Sequence, residues 1–566
     1  ETAAVYEEIT GEKLDPDDPD FKKKLAKLRK IKRSEEQRKK LDSKLKKFFR
    51  GLRDSLRLST AESLSGLMDR ISSLPGEMMG GKAQELVTDK INNSSIQYKR
   101  RMLAFDVMLQ DKLKEYYGKD RAKKARKFKK DIFIVEDSEG VEHYYTQDQM
   151  AYLYNQYKNT ETHPAFKNMY GDGYAETMQK IEDLLDSDLK KFADWQVDEY
   201  FPAVYDYYNS VYKRIYRTDM PQTQNYAGRI FRTEGEPEAV DLLADRSTFN
   251  TSVTSPSILL RTNPATEILA MNLTDALVSY TRDMEYFAAY AESIRDVNKI
   301  FTNPFIEEAI RRIHGNTTYD AIDNVFKSIA AKGPQRSKGD ALLNKLNSYF
   351  ITARIGLSPV IAIKQLTSMF TYANDIGIVN WVKYSMKNLP EVVKTWKEIR
   401  DNSVYMQDRR NDSILRQIET YANLDKPNKV QWLPSKSKIF YENFIMFTTK
   451  FGDRTAIMLG GMPNYLYYKD TYKKKNPGAS EQEVIDYAIK KFEKDTKETQ
   501  QSSDLQDKDY FQTSNPWVRS MNMFLTTPKQ YLRKEITASR NLMRKLKAWD
   551  RSAGKGTLTE NVRQLL

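Results

Sequence analysis

The stretch Tyr349–Val382, YFITARIGLSPVIAIKQLTSMFTYANDIGIVNWV, is the most apolar segment of the chain and decides its predicted fold. Three charged residues interrupt it: Arg354, Lys364 and Asp375. The pattern predicts two buried helices that join at Gly356–Leu357. The second helix is predicted to begin with Ser358 as N-cap and Pro359 at the first helical position, where the missing N–H is not needed. The more polar, amphipathic segments on either side are expected to pack around this central hairpin.

Length and composition set the broad class. The chain has 566 residues, enough for roughly three to four domain-sized units. Apolar residues make up 40% and charged residues 30%, which suits a buried core beneath a strongly solvated surface. Lys and Arg number 92 against 78 Asp and Glu, and the net charge of +14 indicates an acidic partner such as nucleic acid or anionic lipid. The chain has 0 cysteines, which excludes disulfides and thiolate chemistry.

The positive charge is concentrated in one arm, residues 21–53. This arm holds 16 Lys and Arg against 3 Asp and Glu, an excess of 13, so the remainder of the chain is close to neutral. Apolar residues at helical spacing beneath the charge predict a basic amphipathic helix. Three interpretations stay open: a solvated helix face, a nucleic-acid contact and a membrane-surface helix. Few aromatic residues lie among the lysines, so a nucleic-acid contact would be non-specific phosphate attraction. The candidate contact residues are Lys22, Lys23, Lys24, Lys27, Arg29, Lys30, Lys32, Arg33, Lys39, Lys40, Lys46 and Lys47.

A second basic run, Lys119–Lys130, closes the next predicted helical region. It is followed directly by a predicted β-hairpin near residues 132–145, in which two apolar runs flank a turn of Asp, Ser, Glu and Gly. Thr146 and Gln149 then form the S/T-x-x-E/Q pattern of a capping box and predict a helix start. We expect this hairpin to be a small addition to a helical body.

An aromatic stripe and a set of helix-start signals complete the pattern. Phe201, Tyr205, Tyr208, Tyr212 and Tyr216 follow one face of a single helix, a spacing typical of a core or interface seam. Five capping residues are each followed by proline and predict helix starts: Asn263–Pro264, Asn303–Pro304, Ser358–Pro359, Asn515–Pro516 and Thr527–Pro528. Ser480 with Glu483 adds a second capping box.

These signals predict an all-α, elongated, multi-helix assembly with one small hairpin. Four regions are expected: an acidic lead-in and basic arm at 1–55, helical regions at 56–235 and 236–340, and a helical region with the apolar central hairpin at 341–566. Residues 333–339 are the predicted exposed linker. The chain begins with Glu1 and not with methionine, which suggests a processed product or part of a longer polypeptide.

The sequence offers few candidates for a catalytic, metal or cofactor site. Its three histidines are far apart: His143 in the hairpin, His163 in a predicted loop and His314 at a predicted helix end. Nucleotide-binding glycine motifs and nucleophile motifs are absent from the sequence. Acidic pairs such as Glu307–Glu308 and Glu182–Asp183 are typical of solvated helix surfaces. We therefore expect no enzyme and no cofactor, with an unrecognised carboxylate site as the remaining enzyme hypothesis.

A set of short segments in the C-terminal third occurs in a recognisable order. They are Asp453–Arg454, Gly460–Gly461, the helix start at Ser480–Glu483, QQSS at Gln500–Ser503, Asn515–Pro516 and MNMFLTTPKQYLRK at Met521–Lys534. This order resembles the helical region of bacteriophage internal virion (ejection) proteins and of the large polyvalent proteins that phages package and inject. Four earlier segments look similar to the same region: TQDQMAYLYNQY at Thr146, YFPAVYDYYNSVY at Tyr200, NPATEILAMN at Asn263 and SPVIAIKQLTS at Ser358. The composition suits a crAss-like phage.

The resemblance covers about residues 146–534 and implies a packaged, non-enzymatic virion protein that is ejected into the host with the genome. Members of such families commonly carry an added enzyme domain, and none is visible here. The implied partners are other virion proteins (portal, tail or copies of this chain), packaged DNA and the host envelope during delivery. The implied location is the capsid interior or tail lumen, then the host cell. The alternative from another class is a host-side effector that is injected with the genome and binds and protects the injected DNA.

Overall fold

The computed structural model describes residues 6, 62–72, 81–220, 268, 270–332, 368–408, 455–499, 505–507 and 509. These residues form an all-α fold with one two-stranded antiparallel hairpin, which confirms the predicted fold class. The predicted region boundaries near residues 55, 235 and 340 lie outside the described residues, so the four-region division stays a prediction.

The described residues contain sixteen α-helices. They are α1 Leu64–Ile71, α2 Lys90–Tyr117, α3 Arg121–Phe128, α4 Gln147–Tyr157, α5 His163–Tyr170, α6 Tyr174–Asp183, α7 Ser187–Trp195, α8 Phe201–Tyr216, α9 Leu273–Phe301, α10 Pro304–His314, α11 Asn316–Ala330, α12 Ala373–Ile376, α13 Ile378–Asn388, α14 Val392–Asn402, α15 Met462–Lys475 and α16 Glu481–Thr499. Short π-helical turns at Gln84–Asp89, Gln196–Tyr200 and Ile457–Gly461 lead into α2, α8 and α15.

The chain divides into two compact units. One comprises residues 94–293 and 408–433, and the other comprises residues 1–93, 294–407 and 434–566, so the division falls within the long helices α2 and α9. Each unit has its own buried side chains.

The unit of residues 94–293 is built around α4. This helix packs against α6 and α7 and buries Met150 and Leu153 completely. Its start is the predicted capping box: the Gln149 N–H donates to Thr146 Oγ1 at 3.3 Å, and the Thr146 N–H donates to Gln149 Oε1 at 2.9 Å. The strands β1 Ile132–Glu136 and β2 Glu142–Thr146 precede it, which confirms the predicted hairpin.

The aromatic stripe is a packing seam between α8 and α9, as predicted. The Phe201 ring meets the Tyr280 ring edge-on at 5.1 Å, and Tyr208 is fully buried. At the far end Tyr216 is 37% exposed.

One hydrophobic cluster of the second unit lies between α15 and α16. Met462, Tyr465 and Phe492 are completely buried there. The Gly460–Gly461 pair permits a close approach: a Cβ on Gly460 would lie 2.6 Å from the Tyr372 ring, and one on Gly461 would lie 2.7 Å from the Phe492 ring. The absence of two side chains therefore sets how closely these elements pack.

The described part of the apolar stretch differs from its prediction. Residues 368–382 form a 3₁₀ turn at Ser368–Tyr372, the single turn of α12 and the start of α13, with a break at Gly377 where φ is +81°. The prediction of continuous buried helix is wrong for this part: Val379 is 79% exposed and Phe370 is 53% exposed. Only one face of the segment, including Tyr372 and Trp381, reaches the core. The apolar composition predicted that both faces of this segment are buried. Instead, Gly377 with its positive φ breaks the helix, and one face of the chain remains at the surface.

Two further helix starts match their predictions. The Phe305 N–H donates to Asn303 Oδ1 at 3.0 Å, and Pro304 occupies the first helical position. The Ser480 N–H donates to Glu483 Oε2 at 2.8 Å, and the Glu483 N–H donates to Ser480 Oγ at 3.3 Å. The other four cap–proline pairs lie outside the described residues, as does the predicted linker 333–339.

Candidate nucleic-acid interface

The twelve arm residues predicted to contact nucleic acid, Lys22 to Lys47, lie outside the described residues. Their role stays a prediction. The second basic run, Lys119–Lys130, is described, and it supplies the geometry of a candidate interface.

Helix α3 forms the centre of this run and is anchored by one aromatic side chain. A turn at Gly118, with φ of +74°, starts the run, and α3 ends at Phe128. Phe128 is 3% exposed, and its ring meets Tyr117 edge-on at 5.3 Å. Arg126 and Lys127 lie in the last turn, where cations interact favourably with the helix dipole.

Two lysines of the run bind neighbouring carboxylates. Lys124 pairs with Asp188 on α7 and lies 3.8 Å from Asp186 Oδ1. The hydrogen bond from Lys124 lowers the pKa of the Asp188 carboxyl. Lys129 Nζ donates to Asp275 Oδ1 on α9 at 2.7 Å. These ion pairs attach the basic run to α7 and α9, and the positive charges of Lys124 and Lys129 are neutralised by them.

The remaining cations of the run have no carboxylate partner among the described residues. They are Lys119, Arg121, Lys123, Arg126, Lys127 and Lys130. Arg121 is half-buried and the other five are exposed. Four of the six lie on the short helix α3, where like charges repel one another, and a polyanion that binds across them removes this repulsion.

Such a surface suits phosphate and carries no means of reading bases. Six phosphate contacts would give a slope of about −5 in log K against log salt. The aromatic residue of α3, Phe128, is buried and therefore unavailable for stacking on a base. We expect sequence-independent, salt-sensitive binding of nucleic acid.

A buried carboxyl group lies beneath this surface. Asp148, in the first turn of α4, is 2% exposed, and its Oδ2 lies 3.9 Å from Lys129 Nζ with no hydrogen-bond partner in the described structure. Burial raises the pKa of Asp148 to about 7; Lys129 opposes this shift and Asp275 reinforces it. A pKa near neutrality suits proton transfer, but protein atoms cover the carboxyl group. The observable consequence is therefore proton uptake linked to folding.

A partly buried ion pair that the sequence did not reveal connects α2, α8 and α9. Arg101 donates from Nε and Nη2 to the two oxygens of Glu285 at 2.7 and 2.8 Å. Tyr208 donates its hydroxyl to Glu285 Oε1 at 3.0 Å. The fork geometry and the third donor satisfy the buried carboxylate, so the cluster serves as a structural crosslink.

The histidines occupy separate places. His143 Nε2 lies 2.8 Å from Asp137 Oδ2 within the hairpin, and His314 ends α10 as predicted. The prediction that His163 lies in a loop is wrong, because α5 begins at His163 and tolerates Pro164 in its first turn. Within the described ranges, no group of three or more His, Asp or Glu side chains is arranged to hold a metal ion.

The predicted acidic pairs bind nearby cations or amides. Glu307 accepts from Arg311 Nε at 3.1 Å, and Glu182 accepts from Lys190 Nζ at 2.6 Å. Asp183 accepts from Gln179 at 3.0 Å. Asp183 is exposed and Glu182 is half-buried, whereas Glu307 lies in a partly buried ion pair with its side chain 13% exposed.

Comparison with known proteins found no similar protein. The chain matches no family model, no curated protein and no solved structure. Among the described helices, none combines the length and the apolar character that crossing a membrane requires.

Proposed function

We propose that this chain is a non-enzymatic bacteriophage virion protein that is packaged with the genome and ejected with it into the host. The order of segments from Asp453 to Lys534 and its resemblance to ejection and polyvalent phage proteins support the virion assignment.

Contact with packaged DNA is supported by charge. The arm carries an excess of 13 cations, and the run Lys119–Lys130 adds six cations that have no carboxylate partner among the described residues. Binding through phosphates alone is appropriate for a protein that contacts a genome regardless of its sequence. The proposed partners are this DNA, the portal or tail, other copies of the chain, and the host envelope during delivery.

The lack of cysteine is compatible with delivery through a narrow tail, because no disulfide would crosslink the chain. The proposed location is accordingly the capsid interior or tail lumen, followed by the host cell.

The same basic arm also supports a second candidate, a host-side effector that coats injected DNA. The two candidates differ in when the protein meets its DNA. Both are injected with the genome, but the packaged protein contacts DNA already in the particle, whereas the effector binds the DNA after entry into the host.

Quantitative mass spectrometry of purified particles, before and after triggered genome release, tests the proposal. We expect the chain in full particles and its loss from emptied ones. Retention in emptied shells would make it a fixed structural component. Absence from particles would overturn the virion assignment.

DNA contact is tested separately by salt titration of binding to a mixed-sequence duplex. Deletion of residues 21–53 is expected to remove most of the salt dependence. Unchanged affinity after this deletion would contradict the role of the arm.

A further inference from the structure

The β-hairpin presents an apolar face to solvent. The strand register pairs Ile134 with Tyr144 and Glu136 with Glu142, and Ile132 shares the face with them. Ile132 is 59% exposed, Ile134 56% and Tyr144 60%. Ile132, Ile134 and Tyr144 define the hairpin face.

The opposite side of the hairpin is bound to its own unit. Val135 is 2% exposed, and the Tyr145 and Tyr170 hydroxyls lie 2.9 Å apart. Ser138 donates its hydroxyl to the Tyr170 carbonyl at 3.3 Å. The hairpin is therefore held in place by α5, and its outer face is presented on a fixed support.

The turn end of the hairpin is negative. Glu136 and Glu142 lie directly opposite each other on the outer face, and Glu139 is exposed in the turn. Like charges directly opposite on a sheet destabilise it. One cation of the described residues is close: Lys180 donates to the backbone carbonyl oxygen of Glu136 at 2.9 Å. Its single positive charge compares with three carboxylates at this end of the hairpin. A positively charged partner would relieve this repulsion.

The helix end is positive. Arg126, Lys127 and Lys130 precede the first strand and are exposed, with Asp131 as the neighbouring acid. Along the chain from α3 through β1 the order is thus cations, apolar side chains, carboxylates. The five residues of β1 span about 14 Å. This exceeds the screening length of about 8 Å at physiological salt, so the two charged ends act separately.

We propose that the hairpin face binds the hairpin face of a second copy of this chain around a twofold axis near Ile134 and Tyr144. Rotation by half a turn reverses the order of charges. It places Lys127 and Lys130 of each copy against Glu136 and Glu142 of the other, while the apolar side chains meet at the centre.

Charge favours a second copy over other occupants. The carboxylates of the turn end repel DNA and anionic lipid, whereas a second copy supplies apolar side chains and cations in the complementary order. The surface is smaller than a standard protein interface, so we expect a dissociation constant on the order of 10–100 µM.

Two charge-reversed forms of the full chain test this geometry in sedimentation equilibrium. The turn-reversed variant carries Glu136→Lys and Glu142→Lys; the helix-reversed variant carries Lys127→Glu and Lys130→Glu. In a symmetric dimer of either variant, like charges face each other at both ends of the interface. Each variant alone is therefore expected to associate at least about tenfold more weakly than wild type. An equimolar mixture restores both attractions, so we expect a heterodimer within about threefold of wild-type affinity. Val393→Lys, at an 82% exposed site on α14, is the matched control and should leave association unchanged.

A chain that combines all four reversals regains self-complementarity and should associate as wild type does, which separates misfolding from lost contacts. A monomeric wild type at several hundred micromolar would overturn the proposal, as would a mixture of folded variants that stays monomeric. Neither outcome decides whether the chain is packaged in a virion.

Discussion

Asp148→Asn should remove a large pH dependence from the stability of the unit of residues 94–293. Burial raises the pKa of Asp148 to about 7, from the ordinary value of 3.8 for an aspartate. The folded state therefore holds a proton that the unfolded state releases between these two values. The sign follows from linkage: the unfolded state binds fewer protons in this window, so stability falls as pH rises. Asparagine has nearly the same shape and does not titrate.

The magnitude follows from the two pKa values. Between pH 5 and pH 8 the wild type should lose about 2.6 kcal/mol of unfolding free energy through Asp148, which the asparagine variant keeps. Any constant effect of the new amide cancels when the two pH values are compared. In a unit of about 200 residues this corresponds to a difference of about 5–10 °C in melting temperature.

Thermal unfolding followed by circular dichroism at pH 5 and pH 8 measures this difference. Asp111→Asn, at an exposed site on α2, is the matched control that removes an aspartate from the same unit without touching the buried carboxyl group. If Asp148→Asn changes the melting temperature by the same amount at pH 5 and pH 8, the buried acid does not take up a proton on folding and the reasoning fails.

Three further outcomes can be measured. Gly460→Ala would place a Cβ 2.6 Å from the Tyr372 ring and should destabilise its unit by about 1–3 kcal/mol in urea unfolding; a smaller loss would show that the contact relaxes freely. Thr146→Ala should remove the N-cap of α4 and reduce stability by about 1 kcal/mol. Amide hydrogen exchange in the first turn of α4 should then be faster, and unchanged exchange would contradict the role of the cap. Lys123→Gln with Lys127→Gln should make the slope of log K against log salt about 1.8 less negative for a mixed-sequence duplex, whereas an unchanged slope would remove both lysines from the interface.

The features that could be predicted from sequence are those made by residues close together in the chain. Thr146 caps Gln149 and Asn303 caps Phe305, so each interaction is complete within three positions. The hairpin is equally local, because its strands pair across one short turn. Such elements can be located without knowledge of the tertiary structure.

The features that could not be predicted depend on distant residues. Arg101 and Glu285 are 184 positions apart, and each alone resembles an ordinary helix-surface charge. Asp148 is in a helix first turn, where aspartate is usually solvated, and only the packing of α4 buries it. The exposure of Val379 likewise follows from the turn at Gly377, which its apolar neighbours do not reveal.

The hairpin shows how a missed signal can still be recovered. A strand with one buried face normally alternates apolar and polar residues, but Ile132–Val135 is apolar on both faces. The unit covers only one of these faces, and the other ends in two opposed glutamates. Both departures from local stability rules lie on the same surface, whereas the capped helices around it obey those rules. Sites that break several local rules at once are often functional contacts. A partner that covers the exposed apolar side chains and also neutralises the two glutamates must supply apolar side chains and cations. The hairpin and α3 of a second copy contain both, in the required order.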